Sequence, residues 1–159
     1  MWRGSGESKK SDLSAFLSRR VFGESGKMGH LVFVSHSGED KEWAKSLVKE
    51  LEAKGIHPWL DEYELHPGAS WEDQIRSALA ESDTLVAILG EGQPSPNVLV
   101  ETGMALSAGK RIVPLAIGEH TDFSAFGELS NISAIQTSKV ENAAEEILKA
   151  IDTTANSRP

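Results

Sequence analysis

From residue 30 onward, short β-branched apolar runs alternate with segments whose apolar residues recur at helical spacing, and this alternation leaves few folds open. Leu31-Val32-Phe33-Val34 is continuously apolar, as expected of a strand buried on both faces. Behind it, Trp43, Ala44, Leu47, Val48 and Leu51 form a 3.6-residue stripe, with Gly55 placed to cap its C-terminus. His57-Pro58-Trp59-Leu60 predicts a second, shorter strand, and its proline suits a sheet edge. Ser70 opens the next helix, with Asp73 three residues on in a capping-box arrangement and Ile75, Ala78 and Leu79 turned inward. Thr84–Leu89 predicts a third buried strand. Ser95-Pro96 starts a helix that Gly109 ends. Arg111–Ile117 predicts a fourth strand. Glu119–Asn131 reads as irregular, with one short helical turn around Phe123–Leu129. Ile132–Ile135 predicts a short fifth strand, Val140–Ile151 a final amphipathic helix, and residues 152–159 a polar tail.

Strands separated by helices call for right-handed crossovers and an α/β fold, with a parallel sheet covered on both faces. Five such strands wind in the flavodoxin-like order 2-1-3-4-5, and ligands bind outside the carboxyl ends of the strands, where the winding reverses between the first and third. That rule singles out Ser35–Asp40, Asp61–Trp71 and Gly90–Glu101.

Composition narrows the chemistry. A length of 159 residues suits one hydrophobic core. The absence of cysteine excludes disulfides, thiol nucleophiles and thiolate metal sites. The five histidines (30, 36, 57, 66 and 120) show no paired ligand spacing, so no metal is expected. A net charge of -8 argues against a nucleic-acid surface, which needs a basic stripe. No apolar run approaches the length needed to cross a bilayer, nor is there the apolar core of a secretory signal, so a cytoplasmic location is expected. Residues 1–29 are net basic and carry apolar positions at 13, 16, 17 and 20–21. They read either as a docking helix or, as the flanking glycines and serines favour, as a frayed leader.

Three features bear on function. Glu101 lies in an apolar helix, with Val98, Val100, Met104, Ala105 and Leu106 around it and Asn97 one turn earlier on the same face. A carboxylate in such a setting costs free energy unless a cleft solvates it or a cation pairs with it. It reads either as a working residue at the ligand edge or as a partner for Lys110 or Arg111. Ser35-His36-Ser37-Gly38 leaves the first strand and enters a helix, where amides and hydroxyls suit an anion, although a simple N-cap by Ser37 accounts for much of the pattern. Residues 61–71 form a long βα connection with an aromatic residue, a histidine and a Pro-Gly turn, the kind of loop that serves as a lid or a contact surface.

These residues resemble a known family. Phe33-Val34-Ser35-His36-Ser37-Gly38-Glu39-Asp40 is similar to the first-strand box of TIR (Toll/interleukin-1 receptor) domains. Gly55-Ile56 through Leu60-Asp61, then Leu65, Gly68 and Trp71-Glu72-Asp73-Gln74-Ile75, resembles that family's second strand, BB loop and following helix. Glu101 with Ala105 to Leu115 resembles its third helix and fourth strand. The resemblance spans residues 30–151, which would then be the TIR domain. It implies one of two functions: assembly through TIR–TIR contacts, or cleavage of NAD+. For the enzyme, it implies that Glu101 is catalytic and holds the nicotinamide ribose, with Ser35, His36, Ser37, Asp61, Trp71 and Asn97 around the substrate. Tyr63, Leu65, His66, Pro67 and Gly68 would form the BB-loop contact. NAD+ is then substrate, no cofactor is needed, and further copies of the chain or a separate sensor or effector protein are the expected partners in a bacterial immune response. Asn97 stands where many enzymatic members have tryptophan. The string from Ser95 to Glu101 also resembles nucleoside deoxyribosyltransferases, which use a glutamate nucleophile, so nucleoside N-glycosyl transfer is a further reading.

Overall fold

A computed structural model of the chain describes residues 30–60, 71–126 and 133–155. Its strands are β1 (Leu31–Ser35), β2 (His57–Leu60), β3 (Thr84–Leu89), β4 (Arg111–Ala116) and β5 (Ile135–Gln136). Its helices are α1 (Lys41–Ala53), α2 (Trp71–Glu81), α3 (Pro96–Ser107) and α4 (Val140–Ala155), with a short 3₁₀ turn at Gly38–Asp40. The sheet has the order β2-β1-β3-β4-β5 and every pairing is parallel. The predicted flavodoxin-like architecture is therefore the one observed.

Side-chain alternation along β1 divides the interior. Val32 and Val34 pack with Ala44, Leu47 and Leu51 of α1 and with Ala143, Ala144, Ile147 and Ile151 of α4. Leu31 and Phe33 face the other way, with Ile75, Ala78 and Leu79 of α2 and Val98 and Ala105 of α3. Trp59 belongs to this second layer, its ring centroid 4.8 Å from that of Phe33.

Local signals set the boundaries. Gly55 and Gly109, each following a helix, have φ of +81° and +71°, the left-handed conformation that ends a helix cheaply only with glycine. Ser95 caps α3 by accepting from the Val98 amide at 3.4 Å, and Pro96 follows at the first helical position. Ser70, the expected cap of α2, lies outside the described residues.

Two boundaries differ from expectation by more than one residue. The fifth strand is Ile135–Gln136 rather than Ile132–Ile135, because pairing with β4 is confined to Leu115↔Ile135 and Ala116↔Gln136; Ser133 and Ala134 precede it as irregular chain. The last helix runs on to Ala155, past the end of its apolar stripe, so part of the expected polar tail is helical. At the opposite edge, the amide of His57 in β2 donates inward to His30 O at 2.9 Å. The next residue, Pro58, therefore faces outward with no N–H to offer.

Candidate functional site

Two features meet at the carboxyl end of the sheet. The first is an open cleft of about 510 Å³ between the loops that follow β1 and β3, lined by residues 37–40, 88–91 and 93–95. It lies where the winding reverses, as the topology requires. Among the described residues that line it, three are carboxylates, Glu39, Asp40 and Glu91, and none is lysine or arginine. The anion cradle expected at Ser35–Gly38 therefore carries the wrong charge for phosphate. Nor does Ser37 cap with its side chain: its hydroxyl donates to Asp40 Oδ2 at 2.9 Å. Asp40 in turn lies so close to Gly90 that a Cβ there would stand 2.8 Å from its carboxylate oxygen.

The second feature is Glu101. It lies five residues into α3, roughly 7.5 Å below the rim, and is 1% exposed. The buried stripe of α3 is Val98, Glu101, Thr102 and Ala105, and α3 packs on β1, β3 and β4. Asn97 is exposed, so it does not join Glu101 in the interior as the four-residue spacing suggested. Burial of the helix is also one-sided, because Val100 is 57% and Leu106 50% exposed. Lys110 Nζ donates to Ala80 O at 2.9 Å and Arg111 to Ala150 O, so both cations weighed as partners for Glu101 are engaged elsewhere.

The remaining site residues divide. Ser35 and His36 are buried at 0% and 4% exposure, and Ser37 lines the cleft. The His36 Nδ1–H donates to the Ser37 carbonyl at 2.7 Å, which fixes the tautomer. Asp61, Tyr63, Leu65, His66, Pro67 and Gly68 lie outside the described residues, as does the side chain of Trp71. Among the described residues, no cluster of three or more histidine, aspartate or glutamate side chains could hold a metal ion. No helix among them is long and apolar enough to cross a membrane.

Residues that sequence reasoning passed over hold the rim together. Glu91 accepts hydrogen bonds from the amides of Glu119 and His120, the latter at 3.1 Å. Gly92 N donates to His120 O, Asp122 N to Gly92 O, and Thr121 Oγ1 to Gly90 O at 2.9 Å. Gly118 is required at this junction, since a Cβ would stand 2.8 Å from the backbone of Gly90 and Glu91. The carboxyl of Asp122 is held below its ordinary value by hydrogen bonds from the Ser124 side chain, then from the Ser124 amide, which donates at 2.9 Å. The only sequence hint of this clasp is the glycine spacing, 90, 92 and 118.

The TIR domain profile matches residues 32–150, and the chain belongs to the TIR domain family. A curated relative, the uncharacterized protein y4cD of Sinorhizobium fredii, is 27% identical over 135 residues, covering 80% of this chain but only 20% of its own length. The chain thus spans about a fifth of that relative. Among solved structures, the TIR domains of the activated Roq1 resistosome superpose with a TM-score of 0.55 at 20% identity, covering 77% of this chain and 99% of theirs. A Clostridium botulinum CMP N-glycosidase, BcmB, gives a TM-score of 0.54 at 22% identity, covering 74% and 97%. At these identities, both likenesses concern the fold.

Proposed function

We propose that the chain cleaves the N-glycosidic bond between nicotinamide and ribose in NAD+, with Glu101 as the catalytic carboxylate. The observation that carries this reading is the carboxylate itself. Glu101 is buried in an apolar layer of a TIR domain, on the helix that descends from the ligand edge. Burying a carboxylate is costly and needs a return.

The chemistry asks little more of the protein. When the ribose C1′–N bond breaks, its electron pair neutralises the pyridinium nitrogen and leaves neutral nicotinamide. Positive charge develops on the ribose ring, and Glu101 offsets it from a site that water does not screen. Water then adds at C1′ and loses a proton to give ADP-ribose; an internal or added nucleophile gives a cyclic or conjugated product. The acidic cleft above suits the cationic nicotinamide and leaves the diphosphate to be held outside it.

The fold shared with a CMP N-glycosidase makes nucleoside monophosphates a second substrate class, acting through the same carboxylate. Exposed Val100 and Leu106 on α3 favour a third reading, a TIR–TIR interaction module without catalysis. In the enzymatic reading, copies of the chain assemble in the cytoplasm, with residues 63–68 as the BB-loop contact and a separate sensor or effector protein as trigger in immune defence.

The test is incubation of concentrated or crowded protein with NAD+ and with CMP, beside Glu101→Gln. Nicotinamide release that disappears in the variant supports the enzyme. Retained self-association without turnover under any condition supports the module. A covalent glycosyl adduct on Glu101 supports a transferase.

A further inference from the structure

Among the described residues, the layer between the sheet and α3 is apolar except at three side chains. Ser35, Glu101 and Thr102 are 0%, 1% and 1% exposed, within a layer otherwise built of Phe33, Leu85, Ala87, Leu89, Val98 and Ala105. Neither Ser35 Oγ nor Thr102 Oγ1 has a hydrogen-bond partner among the described residues. A buried hydroxyl without a partner has lost its bonds to water and gained nothing in exchange.

Thr102 forgoes a remedy that lies close at hand. A hydroxyl inside a helix can donate to the carbonyl one turn back. Ser82 does so to Ala78 O at 2.6 Å, just past α2, and Ser46 does so to Glu42 O at 3.2 Å in α1. Thr102 has Val98 O in the same relation and leaves it unused, although it belongs to the buried stripe of its helix. Ser35 approaches from the other side. It ends β1, pairs with Ala87, and by alternation shares the face of Leu31 and Phe33, toward α2 and α3. One unsatisfied hydroxyl thus enters the layer from the sheet and one from the helix, the latter adjacent to Glu101.

A hydroxyl keeps both a donor and acceptor lone pairs, and the partner that uses both is another hydroxyl. A phosphate or carboxylate would meet the Glu101 side chain, and a cation would leave both O–H donors idle. We propose that Ser35 and Thr102 are specificity-determining residues that bind the adjacent hydroxyls of a ribose beside Glu101. This assignment rests on the glycosidic reading above and narrows it to ribosides. A 2′-deoxy sugar would leave the pair unsatisfied again, and sites built to bond a substrate hydroxyl reject analogues that lack it.

Thr102→Val keeps the shape and deletes only the hydroxyl. Without ligand, its melting temperature stays at or above that of wild type, because no bond is lost. With ligand, wild type prefers NAD+ to its analogue with 2′-deoxyribose on the nicotinamide side, and CMP to dCMP, by at least about 100-fold in kcat/KM. In Thr102→Val and in Ser35→Ala that preference falls about tenfold or more through a raised KM for the riboside, and Thr102→Ser restores it. A melting temperature more than about 5 °C below wild type in Thr102→Val overturns the assignment, because the hydroxyl would then have a structural partner. So does a preference unchanged in both variants, or one absent from wild type. If wild type cleaves neither riboside, the glycosidic reading falls on its own. Binding of ADP-ribose then decides the hydroxyl assignment, with equal affinity in wild type and Thr102→Val overturning it.

Discussion

The two faces of the sheet are built from the same kinds of element and differ in what they bury. On the α1/α4 face the buried cluster is aliphatic, from Val32 and Leu47 to Ile147 and Ile151, and strand alternation adds the hydroxyl of Thr84. On the α2/α3 face the apolar layer holds Ser35, Glu101 and Thr102 as well. A stability-only design would have no reason to place a carboxylate and two unbonded hydroxyls in one layer and none in its mirror. The same strand feeds both layers: β1 supplies Val32 and Val34 to one side and Leu31, Phe33 and Ser35 to the other.

Substitutions on each face should reveal that division. The largest effect is expected on the aliphatic side. Ile147→Ala deletes a fully buried side chain and should cost about 2–5 kcal/mol, read from urea unfolding, while turnover per folded molecule stays unchanged. Glu101→Gln should do the reverse. Loss of the carboxylate raises the barrier to glycosidic cleavage by about 3 kcal/mol or more, on the order of 100-fold or more in kcat, with a melting temperature within about 4 °C of wild type. If Glu101→Gln instead unfolds the protein while its folded fraction retains activity, the contrast between the faces is broken.

Smaller effects sharpen the picture at the rim. Gly118→Ala forces the loops after β3 and β4 apart and should cost about 1–3 kcal/mol, with amide exchange at Gly92 and Asp122 accelerating ahead of the core. The smallest effect is at Asp122. Its folded pKa is depressed, so the stabilisation it gives is present above the unfolded value of about 3.9 and fades as pH falls through the lower folded value. Asp122→Asn should weaken that acid dependence at the Ser124 amide, followed by NMR, and leave turnover at neutral pH untouched.

Much of the fold was legible because hydrophobic period and local punctuation agree. Thr84–Leu89 is read correctly to the residue, and Ser95-Pro96, Gly55 and Gly109 mark true helix ends. The fifth strand was misplaced because an apolar run of four carries no register, and only Leu115 and Ala116 decide which residues pair. Glu101 was legible as a carboxylate out of keeping with its helix. Its relation to Asn97 was not, since spacing fixes a helix face but not how far each turn sinks into the layer. Thr102 gave no signal at all, because a threonine beside a buried stripe looks like filler until its missing bond is seen. The Glu91 clasp joins residues 28 and 29 apart, a contact that no local pattern encodes.

The margins of the sheet bear on how copies of this chain can meet. One margin is a strand of two residues, and on the other the outward position midway along β2 is a proline. Neither offers the row of free donors and acceptors that lets a neighbouring chain extend a sheet. Among the described residues, contact between copies would therefore fall to helix surfaces and loops. Contacts of that kind form and release without any backbone pairing to undo.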